Sequence, residues 1–395
     1  MDPNLILKVD KRQYIVYALL VIGFFFPVSQ HGLIMQSRYF IIFFLLLIAN
    51  AFFIKITSRN LIFFLSINIS LIVFTIAASL WFNEYSFGIY PNFFTLSTLL
   101  ILNYTDLTGI KYIYNVQLIA TWLTIVLGIG IIIGNTAISN FLINNYSSAY
   151  DDLLPNMLAA RKPVATFGTH SVASFLLFFL FFMNIKTYKV RPNLIYLVTS
   201  IVLLLLLIFV RSNTALAYSG ISFILLFRTF AKKRSALFLG LGIVVAIFLY
   251  VSVINPSILD VFKEYDVLKI LTSNDNGLAG RYSGNSVLAP TIDYITHNPL
   301  VPLGLAYSDK LYYTDSGLIL YMLRGSVILV SAIYLGFYSF LRSNLLNKRN
   351  AIYVFCLFMI FEIGYPVLID PRVLCFIPFL IVYLNHLSKE AIVES

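Results

Sequence analysis

Three arginines lie in segments between apolar runs, and for Arg211, directly after such a run, a permanent charge is costly unless it meets a partner or reaches the interface. Arg161 lies in AARKPVATFGTH, Arg211 follows the apolar run LLLLLIFV, and Arg281 lies in the glycine-rich stretch NDNGLAGRYSGN. A planar guanidinium binds phosphate oxygens through two parallel hydrogen bonds. Three such groups from separate loops would form a pyrophosphate site. The simpler interpretations are a snorkelling side chain for Arg211 and exposed loop charges for the other two.

Three other residues have the chemistry of acid–base catalysis. Asp315 lies in YYTDSGLILYMLRG, where a polar segment meets a long apolar one, and it would accept the proton of an attacking hydroxyl. The same position suits a helix N-cap, and the two roles are compatible. Asp293 and His297 are four residues apart, so they share a face if their segment is helical. Either would bind sugar hydroxyls or assist proton transfer, or simply be solvated.

Two further residues are candidates for substrate contact. His170, in FGTHSVAS, is predicted to start a helix at the membrane surface, where it would contact substrate or face water. Tyr282, beside Arg281, would stack on a sugar ring, although anchoring at the membrane interface explains such tyrosines equally well. The sequence has no HExxH or CxxC pattern and no glycine-rich phosphate loop. We therefore predict that the protein uses neither a metal nor another cofactor.

The elements that must position these residues are apolar helices. Of the 395 residues, 60% are hydrophobic and 11% charged, whereas soluble domains contain about 25% charged residues. Apolar runs near the length of a membrane span recur along the chain. They predict one all-α polytopic integral membrane domain with about 12 transmembrane helices. The predicted spans are 14–28, 39–54, 61–82, 91–103, 113–134, 169–184, 194–210, 215–227, 236–254, 313–340, 351–367 and 373–386.

The basic residues predict an orientation rather than nucleic-acid binding, because Lys and Arg accumulate on short cytoplasmic loops. The loops 186–193 and 228–235 are strongly basic, while 83–92 and 369–371 contain no Lys or Arg. Both termini would then be cytoplasmic, and the loops 135–168 and 255–312 would lie outside. The second of these is expected to be partly helical, with an amphipathic helix over 258–271 and another piece near 285–296.

The outer segments resemble those of the O-antigen polymerase (Wzy) family, within the wider group that includes the O-antigen ligases. The resemblance is carried by ARKPVATFGTHSVASFLLFF, VRSNTALAYSGISFIL, GRYSGNSVLAPTIDYITHNPLVPLGLA and TDSGLILYMLRGSVIL. Two departures are present. Gly304 stands alone where the family has Gly-x-Gly, and Asp315-Ser316 stands where the ligase branch has His-Asn, which favours polymerase over ligase.

The resemblance implies a GT-C-like inverting glycosyltransferase at the periplasmic face of the bacterial inner membrane. Donor and acceptor would be oligosaccharides on undecaprenyl pyrophosphate, and a separate chain-length regulator protein is a possible partner. Arg161, Arg211 and Arg281 would hold the pyrophosphate. Asp315 would act as base or orient the acceptor, supported by Asp293 or His297.

Two alternatives stay open. An O-antigen ligase would transfer the same chains to a different acceptor. A flippase for the lipid-linked oligosaccharide would need charged residues inside the spans, within a repeated architecture. Glu362 is almost the only acidic residue in the predicted spans, so the sequence favours the enzyme.

Overall fold

The computed structural model describes residues 12–26, 55–107, 112–146, 153–230, 288–299, 301–311 and 316–393. Within these ranges the chain is almost entirely helical. The helices are α1 (Arg12–Phe25), α2 (Leu61–Ala78), α3 (Tyr90–Ile101), α4 (Ile113–Ile133), α5 (Thr136–Tyr146), α6 (Leu153–Ala159), α7 (His170–Val190), α8 (Leu194–Phe209), α9 (Asn213–Phe230), α10 (Ala289–His297), α11 (Gly317–Asn344), α12 (Lys348–Glu362) and α13 (Pro371–Val393). A two-residue antiparallel ladder joins β1 (Lys55–Ile56) to β2 (Leu102–Asn103).

Five helices of the described ranges are long and apolar enough to cross a membrane: Ser58–Ala78, Ile113–Ile133, His170–Val190, Gly317–Asn344 and Pro371–Ile392. The architecture is that of an α-helical polytopic membrane protein. Every predicted span coincides with a helix except 39–54 and 236–254, which lie outside the described residues together with the predicted helix over 258–271. The piece predicted near 285–296 is α10, with Pro290 in its first turn. The predicted loop 135–168 contains two short helices, α5 and α6.

The helices α7 and α13 lie at the centre of the bundle. In their most apolar stretches 83% and 78% of the residues are buried, a larger share than in the other three long apolar helices. Aromatic rings fill the space between α7 and α12. The ring of Phe175 lies 4.9 Å from that of Phe358 and 4.6 Å from that of Phe361, both near edge-to-face. Such pairs are more favourable than area burial alone predicts. This packing holds α7 in place and thereby positions His170 at its first turn.

The two ends of the bundle differ in charge. One end, called the basic end, carries a set of cationic side chains on helix termini and short turns: Lys186, Lys189, Arg191, Arg228, Arg342, Lys348, Arg349 and Lys389. The opposite end, called the site end, is where α4 and α8 end and where α7, α9 and α11 begin. The candidate residues Arg161, His170 and Arg211 lie at the site end.

Helix α11 is broken after its second turn. Gly325 (φ −156°, ψ 24°) and Ser326 (φ 56°, ψ −164°) depart from helical geometry. The break releases the carbonyls of Leu323 and Arg324, which accept backbone N–H groups of the segment 301–306 at 2.8 and 2.9 Å. Within a membrane, a backbone carbonyl must find its hydrogen-bond donor inside the protein. The segment 301–306 supplies these donors and so stabilises the break.

The Arg324 side chain completes the same junction. Its guanidinium, only 2% exposed, donates to the carbonyl oxygens of Gly304 at 3.0 Å and Ala306 at 2.6 Å. Gly304 has a φ of +55° and packs so tightly on Thr75 that an added Cβ would lie 2.2 Å from the Thr75 nitrogen. The Thr75 hydroxyl accepts the N–H of Leu305 at 2.8 Å. The segment 301–306 is therefore hydrogen-bonded to both α2 and α11.

Candidate functional site

Arg161 is the second residue beyond α6, which ends at Ala159, and it has the left-handed conformation with a φ of 54°. Its N–H donates to the Leu158 carbonyl, and the N–H of Lys162 donates to the Met157 carbonyl, both at 2.9 Å. This pair of bonds is the Schellman motif, in which glycine is the usual residue at the left-handed position. The sequence places an arginine there instead.

The Arg161 side chain lies against Gly134, which ends α4 with a φ of +80°. The position of an added Cβ on Gly134 is 3.6 Å from the arginine Nε and 3.7 Å from its Cζ. The guanidinium thus lies at the negative end of the α4 dipole, which favours a cation. One terminal nitrogen, Nη1, is buried and has no hydrogen-bond partner among the residues that the structure describes. A buried charged donor in this state is expensive, and an anionic ligand would satisfy it.

Arg211 occupies the equivalent position beyond α8. Its φ is also 54°, and its N–H donates to the Ile208 carbonyl at 3.2 Å. The next helix, α9, begins two residues later at Asn213, so the chain turns sharply at a half-buried arginine. Two of the predicted pyrophosphate ligands therefore share one backbone conformation at the same end of the bundle.

His170 is the first residue of α7, as predicted, and Thr169 caps the helix by accepting the N–H of Val172 at 3.3 Å. The Ser174 hydroxyl donates to the His170 carbonyl at 2.6 Å and lies 3.2 Å from the Ser212 hydroxyl. Because Ser212 directly follows Arg211, the N-terminal end of α7 is in contact with the turn that carries this arginine.

The loop that carries Arg161 and the C-terminal part of α8 both pack against Gly128 of α4. An added Cβ on Gly128 would lie 2.9 Å from a methyl carbon of Leu206 on α8 and 3.5 Å from the Cβ of Pro163. Small residues allow such close approach between helices in lipid. The structure therefore brings the regions of Arg161, Arg211 and His170 together around the site ends of α4, α7 and α8.

Asp293 and His297 share a face of α10, which confirms the prediction from their spacing. The His297 Nδ1 lies 3.1 Å from an Asp293 carboxylate oxygen, and the two side chains are 73% and 74% exposed. Helix α10 packs on α11, and the ring of Tyr294 lies 6.3 Å from that of Phe82, which follows the C-terminal end of α2. Its contacts are separate from those that join His170 to Arg211.

Arg281, Tyr282 and Asp315 lie outside the described residues. The helix that Asp315 was predicted to cap begins at Gly317, and its N-cap residue is Ser316. An N-cap at Asp315 is therefore wrong by one position. Ser316 has the extended backbone of a capping residue, and its hydroxyl lies 3.5 Å from the Glu362 carbonyl oxygen.

Glu362 is a residue whose position the sequence did not predict. This acid, 2% exposed at the end of α12, accepts the N–H of Leu368 at 2.7 Å and the hydroxyl of Tyr321 at 3.3 Å through Oε1. Its Oε2 packs on Gly317, where an added Cβ would lie 1.6 Å away. A carboxyl group at the N-terminus of α11 is favoured by the helix dipole. The only signal in the sequence was a single acid within an apolar segment.

Arg372 also has a structural role. Its guanidinium donates to the Gly23 carbonyl at 3.0 Å and lies over the ring of Tyr146 at 5.8 Å, which ties the end of α1 to α5 and α13. The Tyr146 hydroxyl donates to the Phe25 carbonyl at 2.6 Å. Burial raises the pKa of Tyr146, against a smaller lowering by Arg372, so the phenol remains a donor.

Across the described ranges, no three His, Cys, Asp or Glu side chains come together as a metal ion would require. No family model, curated protein or solved structure matches the chain. The functional assignment therefore depends on the residues and geometry described above.

Proposed function

We propose that the protein is an O-antigen (surface polysaccharide) polymerase, a membrane glycosyltransferase that joins oligosaccharide units carried on undecaprenyl pyrophosphate. The observation that carries the proposal is the pair of left-handed arginines, Arg161 and Arg211, at the site end of the bundle. A non-glycine residue in this conformation costs roughly 1 kcal/mol. Strain of this kind concentrates at functional sites, where the side chain has to be held in place.

The chemistry suits permanent cations. The acceptor hydroxyl attacks the anomeric carbon of the donor from the face opposite the diphosphate, and the bond from that carbon to the diphosphate oxygen breaks. The leaving diphosphate keeps the electron pair, and Arg161, Arg211 and Arg281 would stabilise its charge. The proton of the hydroxyl passes to the carboxylate of Asp315, with Asp293 or His297 holding the acceptor. Charge stabilisation by guanidinium groups requires neither nucleotide nor metal.

The proposed orientation follows from charge. The basic end would face the cytoplasm of a bacterial inner membrane, as positively charged short loops do, with both termini on that side. The site end would then face the periplasm, where lipid-linked units are joined. A chain-length regulator would act there as a partner.

The test is incubation of purified protein with lipid-linked repeat units, without metal or nucleotide, followed by electrophoresis of the products. The proposal predicts a ladder of polymer lengths, and Arg211→Gly protein should give none. Transfer to lipid A-core without a ladder would instead identify a ligase. Movement of the units across vesicle membranes without any new glycosidic bond would identify a flippase, and either result would overturn the proposal.

A further inference from the structure

Two cavities at the basic end lie on either side of the last turn of α7. The larger, of about 570 Å³, is bounded by α7, α13 and the turn between α11 and α12, and Lys348 is part of its wall. The smaller, of about 180 Å³, lies between α7, α9 and α12 and includes Arg228 and Tyr353. Lys186 and Lys189 of α7 line both cavities.

All the charged side chains that line the two cavities are positive, while Asn347, Asn350, Ser388 and Tyr353 are neutral polar residues. Four cationic side chains line the two cavities, and neither lining contains Asp or Glu among the described residues. Lys189 is close enough to Lys186 and to Arg228 for these charges to repel one another. The Glu390 carboxylate at the same end is held by Arg191 at 2.6 Å. The charge of the lining is therefore not balanced by an acid within it.

Lys186 is the most deeply placed of these cations. It is half-buried, and its Nζ lies 5.4 Å from the ring centroid of Phe182 and 5.9 Å from that of Tyr353. The general excess of basic residues at a cytoplasmic face explains exposed cations in loops. It does not explain a lysine that faces two cavities from within a central helix.

The remaining walls are largely apolar and include Leu225 in the smaller cavity and Leu384, Leu387 and Ile392 in the larger. A ligand that fits must combine a negative head with hydrocarbon, and it must be available at the rim of a membrane helix bundle. We propose that these cavities bind an anionic phospholipid, with its phosphate between Lys186 and Lys189 and its acyl chains along the apolar walls. Basic pockets between helix ends recognise lipid head groups in this way.

The test compares protein reconstituted in phosphatidylcholine alone with protein in phosphatidylcholine containing phosphatidylglycerol, followed by native mass spectrometry of retained lipid. The double variant Lys186→Gln/Lys189→Gln should retain phosphatidylglycerol less, by on the order of fivefold for each cation removed. The matched control is Arg342→Gln/Arg349→Gln, which removes two charges from the basic end outside both cavities and should retain lipid as the wild type does. Lys186→Arg, which keeps the charge, should also retain it.

Equal retention by the wild type and the lysine double variant would overturn the proposal. So would equal loss in the control variant, since that would indicate only a diffuse surface charge. A competition experiment compares inorganic phosphate with a soluble short-chain phosphatidylglycerol. If both displace bound phosphatidylglycerol at the same concentration, the apolar walls contribute nothing to binding, and the site is not a lipid site. Thermal unfolding of each variant shows that the fold is retained.

Discussion

Arg161 and Arg211 share one backbone geometry: each is the second residue beyond a helix, has a φ of 54°, and donates its N–H to the carbonyl three residues earlier. Glycine is the residue that this position normally holds. Two arginines in it, at the same end of one bundle, indicate that the side chains are needed despite their backbone cost. The proposed diphosphate site depends on this pair of arginines.

Replacing either arginine by glycine should separate stability from activity. Arg161→Gly and Arg211→Gly remove the left-handed strain, so each should stabilise the fold by up to about 1 kcal/mol, as measured by thermal unfolding in detergent. Each should also abolish polymer formation in complemented cells. Tyr112→Gly is the matched control, because Tyr112 has a φ of 65° at the basic end. It should be stabilised similarly and keep full activity, and loss of polymer in this control would undermine the interpretation.

The contact between Gly317 and Glu362 predicts a strong response to one methyl group. Gly317→Ala would place a Cβ 1.6 Å from the buried carboxylate oxygen, so the fold should lose about 2 kcal/mol or more. Glu362→Ala in the same protein should recover part of that loss, because the clashing atoms are gone. Gly220→Ala in α9 is the control: nothing lies within 4 Å of its added Cβ, and helix propensity predicts a gain. Equal effects at the two glycines would contradict the packing.

The junction at the α11 break should depend on Arg324. Arg324→Met keeps the apolar bulk but leaves the buried carbonyls of Gly304 and Ala306 without their donor, at a cost of about 3 kcal/mol. Cleavage by protease within 301–306 should then become faster. Arg342→Met on the same helix removes an exposed charge and should change stability by less than about 0.5 kcal/mol. Resistance of the Arg324 variant to protease would show that the segment is held by other contacts.

The exposed pair on α10 allows a direct test of catalytic support. An exposed ion pair four residues apart contributes only about 0.3–0.5 kcal/mol, so Asp293→Asn and His297→Ala should leave the unfolding temperature nearly unchanged. If either residue supports proton transfer, its variant should polymerise about a hundredfold more slowly. A rate equal to that of the wild type in both variants would remove the pair from the mechanism.

The positions of the helices could be predicted from the sequence because apolar length is a strong signal for membrane spans. His170 at the start of α7 and the shared face of Asp293 and His297 also followed from local pattern, since N-caps and four-residue spacing are properties of a single helix. The basic loops in the sequence also indicated which helix termini lie together at one end of the bundle.

Features that depend on contacts between distant segments could not be predicted. The break at Gly325–Ser326 is tolerated only because the segment 301–306 supplies donors to the freed carbonyls, and no local pattern shows that pairing. In the sequence Glu362 is an isolated acid, because its contacts with Gly317 and Tyr321 come from a distant segment of the chain. The left-handed backbone of the two arginines could not be predicted for a different reason. Glycine is the residue expected in that conformation, so an arginine in the sequence does not indicate it.

The most direct measurement is the affinity of purified protein for undecaprenyl pyrophosphate, compared among the wild type, Arg161→Gly, Arg211→Gly and Tyr112→Gly. A charged hydrogen bond is worth about 1.5–3 kcal/mol, so each arginine variant should bind at least about tenfold more weakly, while the tyrosine variant binds as the wild type does. Wild-type affinity in both arginine variants, with the fold intact, would contradict the assignment of these residues to the diphosphate.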